Sequence, residues 1–402
     1  MKTISTLGVV LALAGAALAQ DQQLGARTKA MGGSYTAFED DPVSIWLNPA
    51  GIAVQPDSAA VAYQTYTAYP VKRERSGGLA ETSVEAETIM VDPAVIPSFI
   101  GFVTQLGKPE DAMALGICYA RPYHIKYAMD ILTDPSQTTF VPRSNVEQSF
   151  SRFRVAFAKD FRLKALNEPG FLTHVAVGAG LDLSYERWDF TQQTEVPPLI
   201  VTTADGDTTV SVGFGLGVLV GLYDDGGSFK VNLGAAYQSA IKYEFDIEPD
   251  LLPAFDMPQQ INAGLTFYLL EGTPLRFTVD FQWIDWSSTA EEPFFGGQER
   301  FKDAMNFSLG AEYRIALDEA QTVFLFPRLG YRRFDAPWGD KDNLPVTGMY
   351  KLVMDTKGEA FNIFTYGLGL SWTTGGKLRS VDVGGDAGGD SVNFAVGYTH
   401  EF

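Results

Sequence analysis

The chain has little cysteine, little histidine, no excess of basic charge and, after its first residues, no long apolar run. Cys118 is the sole cysteine among 402 residues, which excludes an internal disulfide and a cysteine-based metal site. The formal net charge is −19, so nucleic-acid phosphate would be repelled. We therefore expect no nucleic-acid partner, no metal and no cofactor.

The first residues are typical of a secretory signal peptide, which we predict over residues 1–19. They combine a basic Lys2, an apolar run from Leu7 and the small residues Ala17-Leu18-Ala19. No later stretch approaches the roughly 20 apolar residues that a transmembrane helix requires. The exported product is therefore either soluble or crosses a membrane with strands.

Alternation of apolar and polar residues is the main signal in the rest of the chain. Residues 229–245 place eight apolar residues on one face, expected to contact lipid: Phe229, Val231, Leu233, Ala235, Tyr237, Ile241, Tyr243 and Phe245. About fourteen such segments follow one another from residue 58 to residue 402. The predicted long loops are 69–94, 123–146, 188–207, 246–257, 287–302 and 335–359. Because short turns alternate with these loops, the pattern favours an all-β fold, a transmembrane antiparallel β-barrel of about 14 strands.

A soluble β-sandwich is the alternative, with the apolar face packed on a second sheet. Strands of roughly 10 to 15 residues are long for a sandwich and suit tilted membrane strands. Aromatic residues near strand ends, such as Tyr243 and Trp286, also fit the interfacial girdles of a barrel.

The face opposite the lipid is rich in glycine and in charges of both signs. Gly178, Gly217 and Gly234 are examples of these glycines. Small inward residues leave room in the lumen for a filler, which is a segment of the chain inside the barrel. The charged residues can pair with one another or hold that filler. Two of them, Arg276 and Arg314, are our candidates for a lumenal contact with a ligand carboxylate.

The filler is predicted to be residues 20–57, a small N-terminal hatch ahead of the barrel at 58–402. Its glycines allow a turn or a close approach to a wall, and each Asx-Pro pair starts a short capped helix. The candidate hatch and gating residues are Gly32, Gly33, Asp40, Asp41, Asn48, Pro49, Ala50 and Gly51.

With the hatch, the strands and the C-terminus considered together, the sequence resembles the FadL-type (OmpP1-type) family of outer-membrane transporters for hydrophobic compounds. The resemblance depends on Gly25-Ala-Arg27, Met31-Gly-Gly33, Asp40-Asp41, Asn48-Pro-Ala-Gly51, Pro258-Gln-Gln-Ile-Asn-Ala-Gly264 and Arg328-Leu-Gly-Tyr331, among others. It implies capture of a long-chain fatty acid or similar molecule by outer loops, passage past a displaced hatch, and exit through a distorted third strand, 112–122. The hatch motif is also similar to that of PorV-type barrels, which implies an alternative function as a scaffold for protein secretion or surface attachment.

Capture of a greasy ligand needs apolar side chains above the membrane. The candidate capture residues are Leu251, Leu252, Phe255, Phe294 and Phe295. The C-terminal strand ends in Phe402, which resembles the signal read by the barrel assembly machinery. We expect a monomer in the bacterial outer membrane, surrounded by outer-membrane lipid.

An outer-membrane hydrolase is a third hypothesis, and the sequence does not favour it. The three histidines are dispersed. His174 and Asp182 are the only histidine–acid pair that shares a strand face, and eight residues separate them. That separation is too great for contact along one strand. We therefore expect no enzyme activity and no catalytic residue.

Overall fold

The computed structural model describes residues 24–38, 40–64, 72–73, 83–88, 97–107, 112–132, 141–163, 168–196, 199–243, 256–272, 274–288, 302–335, 360–388 and 391–402. Its helices are short: α1 Ala26–Ala30, α2 Ser44–Leu47, and two 3-10 helices, Pro49–Val54 and Trp286–Ser288. Among these residues, no helix is long and apolar enough to cross a bilayer.

Strands make up most of the described chain and belong to one antiparallel sheet. They are β1 Ser58–Gln64, β2 Lys72–Arg73, β3 Ser83–Thr88, β4 Phe99–Gln105, β5 Met113–Leu132, β6 Val141–Arg162, β7 Gly170–Val196, β8 Leu199–Asp224, β9 Phe229–Gln238, β10 Gln260–Leu269, β11 Leu275–Ile284, β12 Ala304–Tyr313, β13 Ile315–Ala316, β14 Val323–Phe334, β15 Phe361–Thr374, β16 Lys377–Gly388 and β17 Ser391–Glu401.

The sheet closes on itself. β1 pairs with β4 on one side and with β17 on the other, in a register that opposes Ser58 to Glu401. Within the described residues, fourteen strands make up the wall, because β2 and β3 extend the sheet beside β5 and β13 prolongs the pairing of β14. The prediction of an antiparallel 14-stranded barrel is confirmed, and the sandwich alternative is wrong.

The outer face is apolar and the inner face polar, the reverse of a soluble protein. On β6 and β7, Phe153 and Leu181 are 52% and 67% exposed on the outside, whereas their neighbours Arg154 and Asp182 are buried inside. An apolar belt of this kind is stable only against hydrocarbon, and barrels of this architecture belong to the outer membrane.

Two details of the strand prediction are wrong. The predicted loops 123–146 and 188–207 contain strand instead, because β5 to β8 run for 20 to 27 residues and pair with one another far beyond the belt. In addition, β9 ends at Gln238, and the chain then turns inward. Ile241 and Tyr243, expected to face lipid, are consequently 1% and 2% exposed in a cluster with Phe150 and Met257.

The aromatic girdle is also smaller than predicted, because Trp286 does not face lipid. It is 4% exposed and packs with Ile284 and Ala304 at the long-loop end of β11 and β12. Alternation alone cannot distinguish these inward aromatics from outward ones, since both follow the same parity until the strand ends.

Candidate functional site

The first described residues, 24–38 and 40–57, lie inside the barrel; we call them the N-terminal segment. Its largest apolar side chains, Phe38, Ile45, Trp46 and Ile52, are at most 1% exposed. Helix α1 packs against β15, β16 and β17, while the 3-10 helix that begins at Pro49 packs against β5 to β8. The segment therefore spans the lumen from one wall to the other.

Gly32 and Gly33 form the turn that follows α1, as the sequence predicts. Both have positive φ, 70° and 83°, a region that L side chains rarely adopt. A Cβ on Gly32 would lie 2.7 Å from the carbonyl oxygen of Leu309 and 2.8 Å from that of Tyr331. Glycine is thus needed here for the turn and for the close approach to the wall of β12 and β14.

Asn48 joins three parts of the structure through one side chain. Its Oδ1 accepts from the Ala50 amide at 3.2 Å and caps the 3-10 helix, whose first residue is Pro49. Its Nδ2 donates to the carbonyl of Thr36 at 2.7 Å and to that of Val218 on β8 at 3.0 Å. The cap therefore also fastens the segment to the wall.

The start of α2 is stabilised by Asp41, whose Oδ1 accepts from the Val43 amide at 2.9 Å. Gly51 faces this helix, since a Cβ there would lie 3.0 Å from the Cβ of Ser44. Asn48-Pro49 thus starts a short helix as predicted, whereas α2 begins two residues after Pro42 and its N-cap, Val43, supplies no side-chain cap. Helix α1 was not predicted because Ala26–Ala30 follows a glycine and has no side-chain cap.

An ionic network joins the segment to β11, β12, β14 and β16. It contains three arginines and three carboxylates: Arg27, Arg276, Arg328, Asp40, Glu312 and Asp382. Glu312 accepts from Arg27 at 2.8 Å and from Arg328 at 2.6 Å. Asp40 accepts from Arg27 at 2.9 Å and from Arg276 at 2.6 Å. A separate ion pair joins Lys29 of the segment to Asp386 of β16 at 2.6 Å.

Asp40 and Asp41 are adjacent in the segment, but their surroundings shift their pKa values in opposite directions. Burial alone would raise the pKa of Asp40, but Arg27 and Arg276 outweigh it and hold this pKa below its usual value. Among the described residues, Asp41 has no such partner at hydrogen-bond distance, and burial raises its pKa to about 6 despite the Val43 amide. One acid is therefore a fixed anion, and the other titrates close to neutral pH.

Arg154 on β6 holds the middle of the segment. It donates to Asp182 through Nε at 2.6 Å and Nη2 at 2.7 Å, and to the carbonyl of Trp46 through Nη1 at 2.8 Å. Its guanidinium lies 4.9 Å from the Trp46 ring, a cation–π contact. Gly180 and Gly215 leave space for this arginine, because a Cβ on either would lie within 2.9 Å of it.

Asp280 on β11 anchors the backbone of the segment. Its Oδ2 accepts from the amides of Tyr35 at 2.8 Å and Thr36 at 2.7 Å. Gly264 on β10 makes room for the carboxylate, since a Cβ there would lie 2.0 Å from Oδ1. The wall thus offers a buried acceptor to two amides that no helix satisfies.

The opposite side of the lumen is apolar. Facing Ile45 and Ile52, the inner wall of β1, β4 and β5 carries small or apolar side chains: Ala60, Ala62, Phe99, Val103, Ala114, Cys118 and Ala120. We call this wall the apolar sector. Gly116 belongs to it, because a Cβ there would lie 2.9 Å from Ile45 Cγ1. The third wall strand, β5, also has a register shift between Ala120 and Tyr123, where Pro122 interrupts the pairing with β6.

The short-turn end of the lumen holds a cavity of about 260 Å³. The two predicted lumenal arginines both line it, but in different states. Arg276 is neutralised by Asp40 and Glu312, whereas Arg314 donates to the carbonyl of Gly272 at 2.8 Å. A smaller cavity of about 70 Å³ lies on the other side of the segment, beside Tyr35 and Asp280.

The described part of this site does not include all of the predicted residues. The capture candidates Leu251, Leu252, Phe255, Phe294 and Phe295 lie outside the described residues, as does the predicted signal peptide. Asp182 is engaged by Arg154, while the His174 ring lies beside Thr173, so these two do not form a pair. Within the described residues, no group of three or more His, Cys, Asp or Glu side chains is placed to hold a metal ion.

Sequence reasoning missed the partners of the network on β14 and β16. Arg328 and Asp382 have the inward parity of their strands, and that parity is the signal that identifies them. The pairing of each arginine with its carboxylate depends on the order of the strands around the barrel. Alternation within one strand gives no information about that order.

Comparison with known proteins identifies the fold. No family model matches the sequence, and no curated protein matches it. Among solved structures, a Pseudomonas aeruginosa FadL homologue is similar with TM-score 0.55 at 11% identity, covering 94% of this chain and 98% of that one.

Two toluene transporters are similar as well. TbuX of Ralstonia pickettii has TM-score 0.52 at 14% identity, and TodX of P. putida has TM-score 0.52 at 13% identity; each comparison covers 95% of this chain and 99% of the other. The resemblance noted in the sequence is thus supported over nearly the whole length, and the chain has the fold of the FadL-type outer-membrane barrels.

Proposed function

We propose that the chain is a passive transporter that carries hydrophobic small molecules across the outer membrane, with the N-terminal segment as its hatch. The observation that carries this proposal is the way the segment fills the lumen. It is fixed by charged and hydrogen-bonded contacts to β11, β12, β15 and β16, and by apolar contacts to the apolar sector.

The two kinds of contact differ in how they resist displacement. Hydrogen bonds and ion pairs have fixed partners and geometries, and breaking a buried pair leaves an uncompensated charge. Apolar contacts are non-directional, and a greasy molecule can replace them without a net loss of burial. A hydrophobic ligand therefore passes most easily between Ile45 or Ile52 and the apolar sector, while α1 stays attached to β15 and β16.

This route leads along β5, whose register shift near Pro122 is a weak point for sideways exit. Long-chain fatty acids and aromatic hydrocarbons both meet the physical requirement of an apolar path. In this proposal the outer loops that carry Phe255 and Phe294 capture the ligand, and the charged end of the segment acts as the hinge.

Two engineered disulfides test the route, in a background in which Cys118 is replaced by Ser. Ile45→Cys with Gly116→Cys locks the segment to the apolar sector, since Ile45 Cγ1 lies 2.9 Å from the Cβ position of Gly116. Ala26→Cys with Gly397→Cys is the matched control and locks α1 to β17, since the Cβ of Ala26 lies 3.7 Å from the Cβ position of Gly397. Uptake of radiolabelled oleate and toluene is measured in cells that depend on this barrel.

We expect oxidation to stop uptake in the first variant and reductant to restore it, while the second variant takes up ligand in either state. Equal uptake by both oxidised variants would exclude passage along the apolar sector. If the barrel supports no hydrophobic uptake at all and a protein co-purifies with it, the PorV-type scaffold replaces the transporter.

The C-terminus supports a proposal about assembly. Phe402 donates its amide to the carbonyl of Asp57 at 3.2 Å and stacks on Phe102 with ring centroids 5.4 Å apart. Its ring remains 43% exposed on the outside of the closed barrel. We infer that this terminal strand is the recognition signal for the assembly machinery and that the mature barrel is a monomer.

A further inference from the structure

The cavity at the short-turn end contains an arginine that is not neutralised within the described part of the chain. Arg314 follows the last residue of β12 and donates Nη2 to the carbonyl of Gly272. A guanidinium carries five N–H donors and keeps its proton at any physiological pH. This one forms no ion pair with a described carboxylate, so most of its donors and its charge remain available.

The other arginines that line the cavity are neutralised. Arg27, Arg276 and Arg328 share Asp40, Glu312 and Asp382 in ion pairs of 2.6 to 3.2 Å. Three arginines are thus paired with three carboxylates, and Arg314 does not belong to this network. Burial and the neighbouring Arg276 guanidinium lower the pKa of Arg314, because both disfavour its charged form. A bound anion would stabilise that charged form.

Aromatic rings lie beside this cation on the inner face of the wall. Phe324 and Phe326 have the same parity on β14 as the buried Arg328, so both rings face the lumen, and both line the cavity. Their centroids are 6.4 Å apart, and the Arg314 guanidinium lies 5.4 Å from the Phe324 ring. A charged group and an apolar surface therefore share one side of the cavity.

Four acids line the cavity, and two of them, Asp41 and Glu401, lie outside the ionic network. Glu401 ends β17, which is three strands from β14, or roughly 14 Å along the wall at the usual strand spacing. Its Oε2 accepts from the Leu378 amide at 3.2 Å. Asp41 belongs to the segment and accepts from Val43. The cavity thus has a cationic, aromatic side formed by β12 and β14 and an acidic side formed by β17 and the segment.

We propose that the cationic, aromatic side of this cavity is a binding site for an amphipathic monocarboxylate, whose carboxylate binds Arg314 and whose apolar chain lies on Phe324 and Phe326. The site is separate from the apolar sector, from the outer loops and from the register shift near Pro122. This inference rests on the proposed function, because a ligand reaches this end only if the barrel lets it pass.

Photolabelling tests the site directly. The probes are dodecanoate with a diazirine near the chain end and the matching dodecanol, applied at pH 8 to the full chain in mild detergent and mapped by peptide mass spectrometry. We expect dodecanoate to label the peptide that contains residues 323–328 far more than dodecanol does. Arg314→Gln should reduce this labelling about tenfold, the loss expected for one charge-assisted contact, and Arg314→Lys should restore part of it.

The control is Arg162→Gln, which removes an arginine at the end of β6 that is paired with Asp160 at 3.1 Å; its labelling should match the wild type. Phe326→Ala keeps the cation and should weaken labelling by both probes. Equal labelling by acid and alcohol would refute the carboxylate site. Labelling confined to other lumenal peptides would refute this binding site and leave the transporter intact, whereas no lumenal labelling by either probe would overturn both.

Discussion

Removing the Asp280 carboxylate should loosen the N-terminal segment without disturbing the wall. Asp280 is 6% exposed, and its Oδ2 accepts from the amides of Tyr35 and Thr36 at 2.8 and 2.7 Å. A hydrogen bond to a charged group contributes about 1.5 to 3 kcal/mol. At the lower end of that range, Asp280→Ala removes about 3 kcal/mol from the docked state, which raises the ratio of released to docked segment about 100-fold.

Single-channel conductance in planar bilayers measures this ratio. Deletion of residues 25–53 supplies the upper limit, because a barrel without the segment should leak small polar solutes continuously. Asp280→Ala should show brief openings of the same amplitude, and Asp280→Asn, which keeps one acceptor oxygen, should open less often. Asp285→Ala is the control, since this carboxylate at the end of β11 accepts from Gln259 at 2.8 Å outside the segment's contacts. If the deletion conducts and Asp280→Ala is as closed as the wild type, the carboxylate does not hold the segment.

Three further variants test the fit of the segment. Gly234→Val places a Cβ 2.2 Å from a segment carbonyl and should open the lumen, whereas Gly227→Ala, with nothing within 4 Å, should leave conductance unchanged. Arg154→Met strands a buried Asp182 and should cost about 3 to 5 kcal/mol, measured as a lower melting temperature of the purified barrel. Burial in the docked segment raises the pKa of Asp41 to about 6, so protonated Asp41 favours the docked state by up to about 3 kcal/mol. Docking should therefore weaken as pH rises from 4 through 6. Asp41→Asn should abolish that part of the pH dependence of conductance.

The sequence predicts the wall well because alternation reports directly on which face of a strand is buried. Leu181 and Asp182 differ by one position and lie on opposite faces of β7, as their parity requires. Local chemistry likewise predicts the turn at Gly32 and the cap at Asn48, because a positive φ and an unsatisfied helix amide each select a particular residue type.

The sequence does not predict where a strand stops being part of the wall. Tyr243 continues the alternation of β9, but β9 ends five residues earlier, and the ring turns inward to bond Ser184 at 2.6 Å. In β7 the pairing continues past Trp188 to Val196, through residues that the sequence predicts as loop because polar residues outnumber apolar ones there. Both outcomes are decided by neighbouring strands, which a single-strand pattern does not contain.

The interface of the segment has one part that resists displacement and one part that does not. Glu312 accepts from Arg27, and Asp280 accepts from the amides of Tyr35 and Thr36, so releasing the segment here breaks buried charged contacts that have fixed partners. Ile45 and Ile52 meet the apolar sector through non-directional contacts, which a hydrophobic molecule can replace. A permanent seal needs no such division, whereas the transporter that we propose needs one part of its hatch to stay attached while the other part yields to the ligand.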